Sequence, residues 1–154
     1  MDLGLLTGLL QGDLLAIRLQ DIREDGLYVE ISKSERVDRV RKKMLSKWTP
    51  ELRRVIEAIR ALPRPVRGMH LVCTHKRQPY STDGFDSIWQ RTMRKAIESY
   101  GLKGRIRFHF IRRKAATDAE TQYGREFARR LLAHDDQKMT GAYVSGIARV
   151  KPLK

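Results

Sequence analysis

The chain has 154 residues, 41% hydrophobic and 32% charged, which is enough for one compact core and too little for two. Thirty-two Lys and Arg against 18 Asp and Glu leave a net charge of +14 and a pI near 10.4, a balance that favours a polyanionic partner, nucleic acid first, over an acidic small molecule. No apolar run approaches the roughly 20 residues that span a bilayer, and the N-terminus lacks the pattern of a signal peptide, so a soluble cytoplasmic protein with no membrane partner is expected.

In chain order, "MDLGLLTGLLQGDLLAIRLQDI" is apolar at nearly every helical position and punctuated by Gly4, Gly8 and Gly12, so it reads as two short buried helices that surface at Arg18 and Asp21. Residues 26–32, "GLYVEIS", alternate as a strand does, and residues 39–46 return as its partner, which makes a basic hairpin carrying Lys33, Lys42 and Lys43. Thr49 is a good N-cap and Pro50 suits the first helical position. Val55, Ile56, Ile59 and Leu62 then share one face, giving a helix over 50–62 that "PRP" stops. Residues 69–74, "MHLVCT", form a third strand, followed by the loop "HKRQPYSTDG". The lone Cys73 cannot form an internal disulfide and reads as a core residue.

A long basic amphipathic helix follows from Phe85 to near Gly101, with Ile88, Trp89, Met93 and Ile97 as its core stripe. Beyond it the periodicity gives helices near 110–121, 125–133 and 137–145, broken at Gly124 and "HDDQ". The tail is short and basic. The expected fold class is therefore α+β, mainly helical, with helices around a small three-stranded antiparallel sheet. It forms one domain over 1–145 and a tail over 146–154.

Four histidines and one cysteine invite a metal reading, but His70 and His75 have no partners at ligand spacing, so no metal or other cofactor is expected. No serine sits in a Gly-x-Ser-x-Gly turn, which removes the usual hydrolase arrangement. Nothing looks like an aromatic RNA-recognition strand or a Gly-x-x-Gly loop.

What remains is "HFIR" at 109–112, "LLAH" at 131–134, "TGAY" at 140–143 and "SKS" at 32–34. His134 and Tyr143 are nine residues apart. This combination, with "QPYSTDGFDSIWQRTMRKA" before it, resembles the catalytic domain of the tyrosine recombinases, the phage integrase family, from about Thr7 to Tyr143. The resemblance implies cleavage and rejoining of double-stranded DNA through a 3′-phosphotyrosine. In that reading Tyr143 is the nucleophile and Arg112 clamps phosphate oxygens. His109 and His134 donate hydrogen bonds or move protons, and Lys33 protonates the leaving oxygen, with Lys42 and Lys43 as competing lysines. Lys42, Lys43, Arg91, Arg94, Lys95, Arg113 and Lys114 are the expected contacts to the DNA backbone.

Three departures accompany the resemblance. Leu10, in "LLTGLLQGD", stands where the family carries its first catalytic arginine, and Arg18, further on, matches an ordinary arginine of the next helix. Ala133 replaces the glycine before the second histidine. The sequence also begins just before the first box, without the family's preceding helix or N-terminal DNA-binding domain, so Leu3, Leu5 and Leu6 are expected to remain uncovered and to favour self-association. Exchange of C-terminal helices between protomers is the other expected assembly. The implied activity is an impaired recombinase. The alternative is a remnant that keeps the fold and binds DNA without cutting it.

Overall fold

The computed structural model describes residues 1–32, 42–63 and 68–133. The expected helix over 137–145, the tail, Lys33, His134 and Tyr143 lie outside the described residues.

The first apolar stretch folds as two short helices, α1 (Asp2–Thr7) and α2 (Gln11–Ala16), with a single 3₁₀ turn at Leu19–Asp21. Gly8 ends α1 in the left-handed region at φ 62°, its N–H donating to the Gly4 carbonyl. A Cβ at that position would lie 3.3 Å from side-chain atoms of both Leu131 and Leu132, so Gly8 serves the turn and also lets the far end of the chain pack close. Leu3 is buried, contrary to the expectation of an uncovered surface, because it belongs to the core cluster that also holds Leu9, Ile17 and the inward residues of the hairpin, and α1 packs on α5 and α3. Leu5 and Leu6 are exposed as expected.

The hairpin pairs β1 (Gly26–Ile31) with β2 (Lys42–Lys47), Val29 opposite Met44 and Glu30 opposite Lys43. Its period-two pattern sends Leu27, Val29 and Ile31 into the core while Glu30 faces out. The expected third strand does not join this sheet, which has two strands among the described residues. Residues 69–71 instead run beside 17–19, with Leu71 N–H to the Ile17 carbonyl and Leu19 N–H to the Met69 carbonyl, both 2.8 Å. Cys73 forms a lone bridge with Pro79, which has no N–H to extend a ladder, so the stretch divides between two partners. Cys73 is half-buried.

Helix α3 (Pro50–Ala61) begins where the sequence predicts, the Thr49 hydroxyl accepting the Leu52 N–H at 3.2 Å. Leu52, Val55 and Ile56 enter the core; Leu62 lies just past the helix and is exposed. Helix α4 (Thr82–Tyr100) starts three residues earlier than the sequence suggested, because Ser81 caps it by accepting the Gly84 N–H at 3.1 Å. Trp89 and Met93 meet Ile111 in a second small cluster. Helices α5 (His109–Tyr123) and α6 (Arg125–Leu131) complete the described chain, α5 lying between α1 and α6.

Candidate functional site

Phe108 seats the start of α5. Its ring meets Phe85 and Trp89 edge-on at 5.1 and 5.2 Å, and the Trp89 indole N–H donates to the Ile106 carbonyl at 2.7 Å. With Phe108 fixed as the residue before the helix, His109 becomes its exposed first residue, and Arg112 follows one turn later on the buried side. The two expected site residues of this box therefore share one helix end and differ in exposure.

Arg112 is the most informative side chain described. It is 6% exposed, and its fork, which the sequence reading assigned to a phosphate, faces backbone: one terminal nitrogen donates to the Gly8 carbonyl and the other to the Leu132 carbonyl at 2.8 Å. A buried guanidinium needs such acceptors, since its charge must be met by oxygen when water is excluded. The bonds have a topological effect as well. They tie "TG" at 7–8, "HFIR" at 109–112 and "LLA" at 131–133, three segments far apart in sequence, around one cation. Leu10 lies two residues beyond Gly8 as the half-buried N-cap of α2. The position read as the vacant arginine thus belongs to the same turn that Arg112 holds.

Ala133 lies at the end of the described chain with φ 53°. A left-handed conformation brings an L side chain's Cβ close to the following carbonyl, and glycine avoids that contact. Here an alanine occupies such a turn, directly after the carbonyl that Arg112 grips.

A residue missed by the sequence reading is Asp13. It is 2% exposed, and its Oδ1 accepts both the backbone N–H of Ser32 at 3.1 Å and the Ser32 hydroxyl at 2.8 Å. Ser32 immediately precedes Lys33 in the sequence. The signal was present: Asp13 is the one charge within the apolar run from Leu3 to Ile17. Beside it lies a cavity of about 440 Å³, also lined by Arg18, Asp21 and Glu30. Arg18 heads the 3₁₀ turn, its backbone N–H bonded to Asp21 Oδ2 at 2.8 Å, and pairs with His70 in a single bridge.

The expected DNA contacts fall on several surfaces. Arg91, Arg94 and Lys95 are exposed along α4, and Lys43 is exposed on β2, where Lys42 precedes it as the first strand residue. Lys114 is paired with Asp118 at 2.6 Å, which reduces its share of the positive field. Arg113 is half-buried and lies 5.6 Å from the Phe110 ring centroid. The reading also passed over Lys103, Arg105 and Arg107, all exposed in the loop between α4 and α5. Their spacing in "LKGRIR" puts a cation at every second position, a pattern without helical periodicity.

At the C-terminal end of α6, Arg129 reaches Glu126 through two nitrogens, at 2.9 and 2.8 Å, and Arg130 through one at 3.0 Å. These hydrogen bonds, Arg129's first, hold the Glu126 carboxyl down at about 2. Among the described residues no group of three or more His, Cys, Asp or Glu could hold a metal ion, and no helix is long and apolar enough to cross a membrane.

Comparison with known proteins gives three findings. The phage integrase family model matches residues 1–147. Comparison with curated protein sequences finds no match. Among solved structures, a lambda integrase dimer bound to a COC′ core site aligns with 24% identity and a TM-score of 0.71, over 99% of this chain and 53% of that one. The Tn1549 transposon integrase in complex with circular intermediate DNA aligns at 14% identity and TM-score 0.72, over 95% of this chain and 52% of that one. XerA recombinase aligns at 16% and 0.68, over 94% and 52%. The chain spans about half the length of these proteins.

Proposed function

Because the chain belongs to the phage integrase family, we propose that it is the catalytic portion of a site-specific recombinase that breaks and rejoins double-stranded DNA through a covalent tyrosine link. The observation that carries this reading is the Arg112 junction, where one buried guanidinium gathers the segments that bear the family's motif. The +14 charge and the exposed cations of α4 and the following loop supply a surface suited to a phosphate backbone. The solved relatives include proteins captured on core-site and circular-intermediate DNA, and one lambda integrase assembly is a tetramer on a Holliday junction.

In the proposed reaction the Tyr143 oxygen bonds to phosphorus as the bond from phosphorus to the 5′ oxygen breaks. The tyrosine proton passes to a histidine, His109 or His134, and the Lys33 ammonium gives a proton to the departing 5′ oxygen. Arg112 stabilises the charge that builds on the non-bridging oxygens. The phosphotyrosyl bond conserves the energy of the broken phosphodiester, so a new 5′ hydroxyl can reverse the step without ATP. Asp13 supports this as a positioning residue: by fixing Ser32 it limits where Lys33 can reach. Leu10 weakens the site, since an apolar side chain takes the place of a second phosphate donor. Self-association on DNA completes the proposal, with the exposed Leu5 and Leu6 and an exchanged C-terminal helix as its means.

The experiment is adduct formation on a suicide DNA substrate, with Tyr143→Phe as control. The expected result is a covalent protein–DNA band that the Phe variant abolishes, with duplex binding retained and no effect of chelator. The second reading, a binding remnant, is favoured by Leu10 alone. It predicts binding with no adduct for either protein.

A further inference from the structure

Arg112 as described is poorly placed to receive a phosphate. The residue is 6% exposed, its two terminal nitrogens are committed to the carbonyls of Gly8 and Leu132, and the second of these acceptors opens directly onto a strained residue, Ala133 at φ 53°. Each of those carbonyls is neutral, whereas a phosphate oxygen carries charge and two such oxygens match a guanidinium fork bidentately. An anion that reaches Arg112 therefore outcompetes a backbone carbonyl for the same hydrogens.

We propose that Arg112 is shared between the phosphate site and the turn at Leu132–Ala133, so that an arriving phosphate draws the guanidinium off the Leu132 carbonyl and releases that turn. This rests on the DNA-cleavage reading and adds a regulatory step to it. In the described arrangement the guanidinium clasps the end of α6 and holds alanine in a conformation it does not favour. With anion, the clasp is lost and the left-handed residue relaxes. The turn leads directly into His134, so occupancy of the phosphate site becomes coupled to the segment that bears the rest of the motif. Gly8 serves as the fixed side of the clasp: its own conformation is free of strain, and its turn is held by the bond to Gly4.

The reporter is the Ala133 amide, which donates to the Arg130 carbonyl at 3.0 Å, together with the Leu132 amide, which donates to the Ala128 carbonyl at 3.0 Å. Hydrogen exchange of the full chain is followed by NMR alone, with inorganic phosphate, and with saturating duplex DNA. Occupancy is read from the Arg112 Nε–H resonance and duplex binding from fluorescence anisotropy. The expected result is exchange at Ala133 accelerated about tenfold or more by either anion, while α3 amides stay unchanged. Unchanged or slower exchange with the Arg112 resonance shifted overturns the proposal, as does failure of both anions to shift that resonance. Duplex binding that leaves Arg112 untouched sinks this proposal and spares the DNA reading. Absence of any duplex binding sinks the DNA reading, and the phosphate arm still decides this one.

Arg112→Lys supplies the second measurement. Lysine is shorter and lacks the fork's two spaced nitrogens, so its ammonium cannot span both carbonyls as Arg112 does, and Ala133 should exchange rapidly without anion and gain nothing from it. Slow exchange in the folded variant overturns the proposal. Ala133→Gly covers the case in which Arg112→Lys does not fold: with the strain removed, the turn holds without the clasp, and the acceleration by anion should shrink to about threefold or less. An undiminished tenfold effect would refute the role given to the strain.

Discussion

Arg112 donates to the carbonyl of Leu132 at 2.8 Å, and the next residue, Ala133, is one of two non-glycine residues with positive φ among those described. A side chain that stabilises a turn by gripping its carbonyl can hold that turn in a conformation its own residue disfavours. The cost falls on the folded state. Replacing Ala133 by glycine removes the contact between Cβ and the carbonyl, and the gain should outweigh glycine's greater freedom in the unfolded chain. Ala133→Gly is therefore expected to stabilise the protein by about 1 kcal/mol. Urea unfolding at unchanged m-value measures it; a variant no more stable than the parent would mean that the turn is already relaxed.

Asp13 gives a second test. Its buried Oδ1 accepts two hydrogen bonds from the exposed Ser32, so Asp13→Ala removes both bonds and opens a small void, while water can meet the freed N–H and hydroxyl. The loss should be about 1 to 3 kcal/mol, from two lost hydrogen bonds and the small void. Asp13→Asn keeps an acceptor oxygen and should lose less. Comparable losses for the two variants would show that the carboxylate charge matters more than the hydrogen bonds.

The legible part of this chain was its periodic part. Thr49-Pro50 and the Val55-Ile56 stripe specify α3 from local chemistry alone, and Gly101 ends α4 for the same reason. The resemblance likewise rested on local words such as "HFIR". What the sequence hid was non-local. Nothing in the spacing says that residues 69–71 run beside 17–19 in place of extending the hairpin, because strand pattern fixes a face and leaves the partner open. Arg112's burial was hidden too, since its acceptors are backbone carbonyls 104 and 20 residues away, and every residue type carries the same carbonyl. Asp13 was visible as an isolated charge, but its partner Ser32 was read only as a neighbour of Lys33.

Electrostatics at α6 make a pH prediction. Glu126 is held at about 2 by Arg129 and then Arg130, below its ordinary value of 4.5. A depressed carboxyl stabilises the fold above its unfolded value, and that stabilisation is lost as pH falls from about 4.5 through about 2. The group is exposed, so the effect should appear as fraying of α6 and not as global unfolding. An NMR titration of the Glu126 side chain checks it, and a midpoint near 4.5 would mean that the two arginines do not hold it in solution.

Duplex binding should weaken steeply with salt and tolerate sequence, because phosphate contacts release counterions while few side chains are set to read base edges. Charge reversal at Arg91, Arg94 or Lys95, exposed on α4, should reduce both affinity and the salt slope. Lys114→Ala should matter less, since Asp118 already engages that ammonium. Anisotropy over a salt series measures all four. Equal effects of Lys114→Ala and the α4 changes would place the duplex across α5 instead.

Leu10 sits in the turn that Arg112 holds through Gly8, and an apolar side chain there can give nothing to a phosphate. Loss of one preorganised donor typically costs about 10² to 10³ in rate, and a charged bidentate donor is worth at least that much. On the proposed mechanism, the chain as it stands should therefore form a phosphotyrosine slowly. Leu10→Arg should raise the single-turnover rate by about 10² or more if the new guanidinium reaches the phosphate from the α2 cap. The gain has a structural condition, because two guanidiniums tolerate each other near Gly8 only while an anion lies between them. Leu10→Arg should for that reason lower stability slightly without DNA and increase it with DNA, a reversal that a general packing effect would not produce. A single-turnover comparison on one suicide substrate, with thermal unfolding measured with and without the duplex, checks both parts. A folded Leu10→Arg protein with unchanged rate and no reversal would show that position 10 does not face the phosphate.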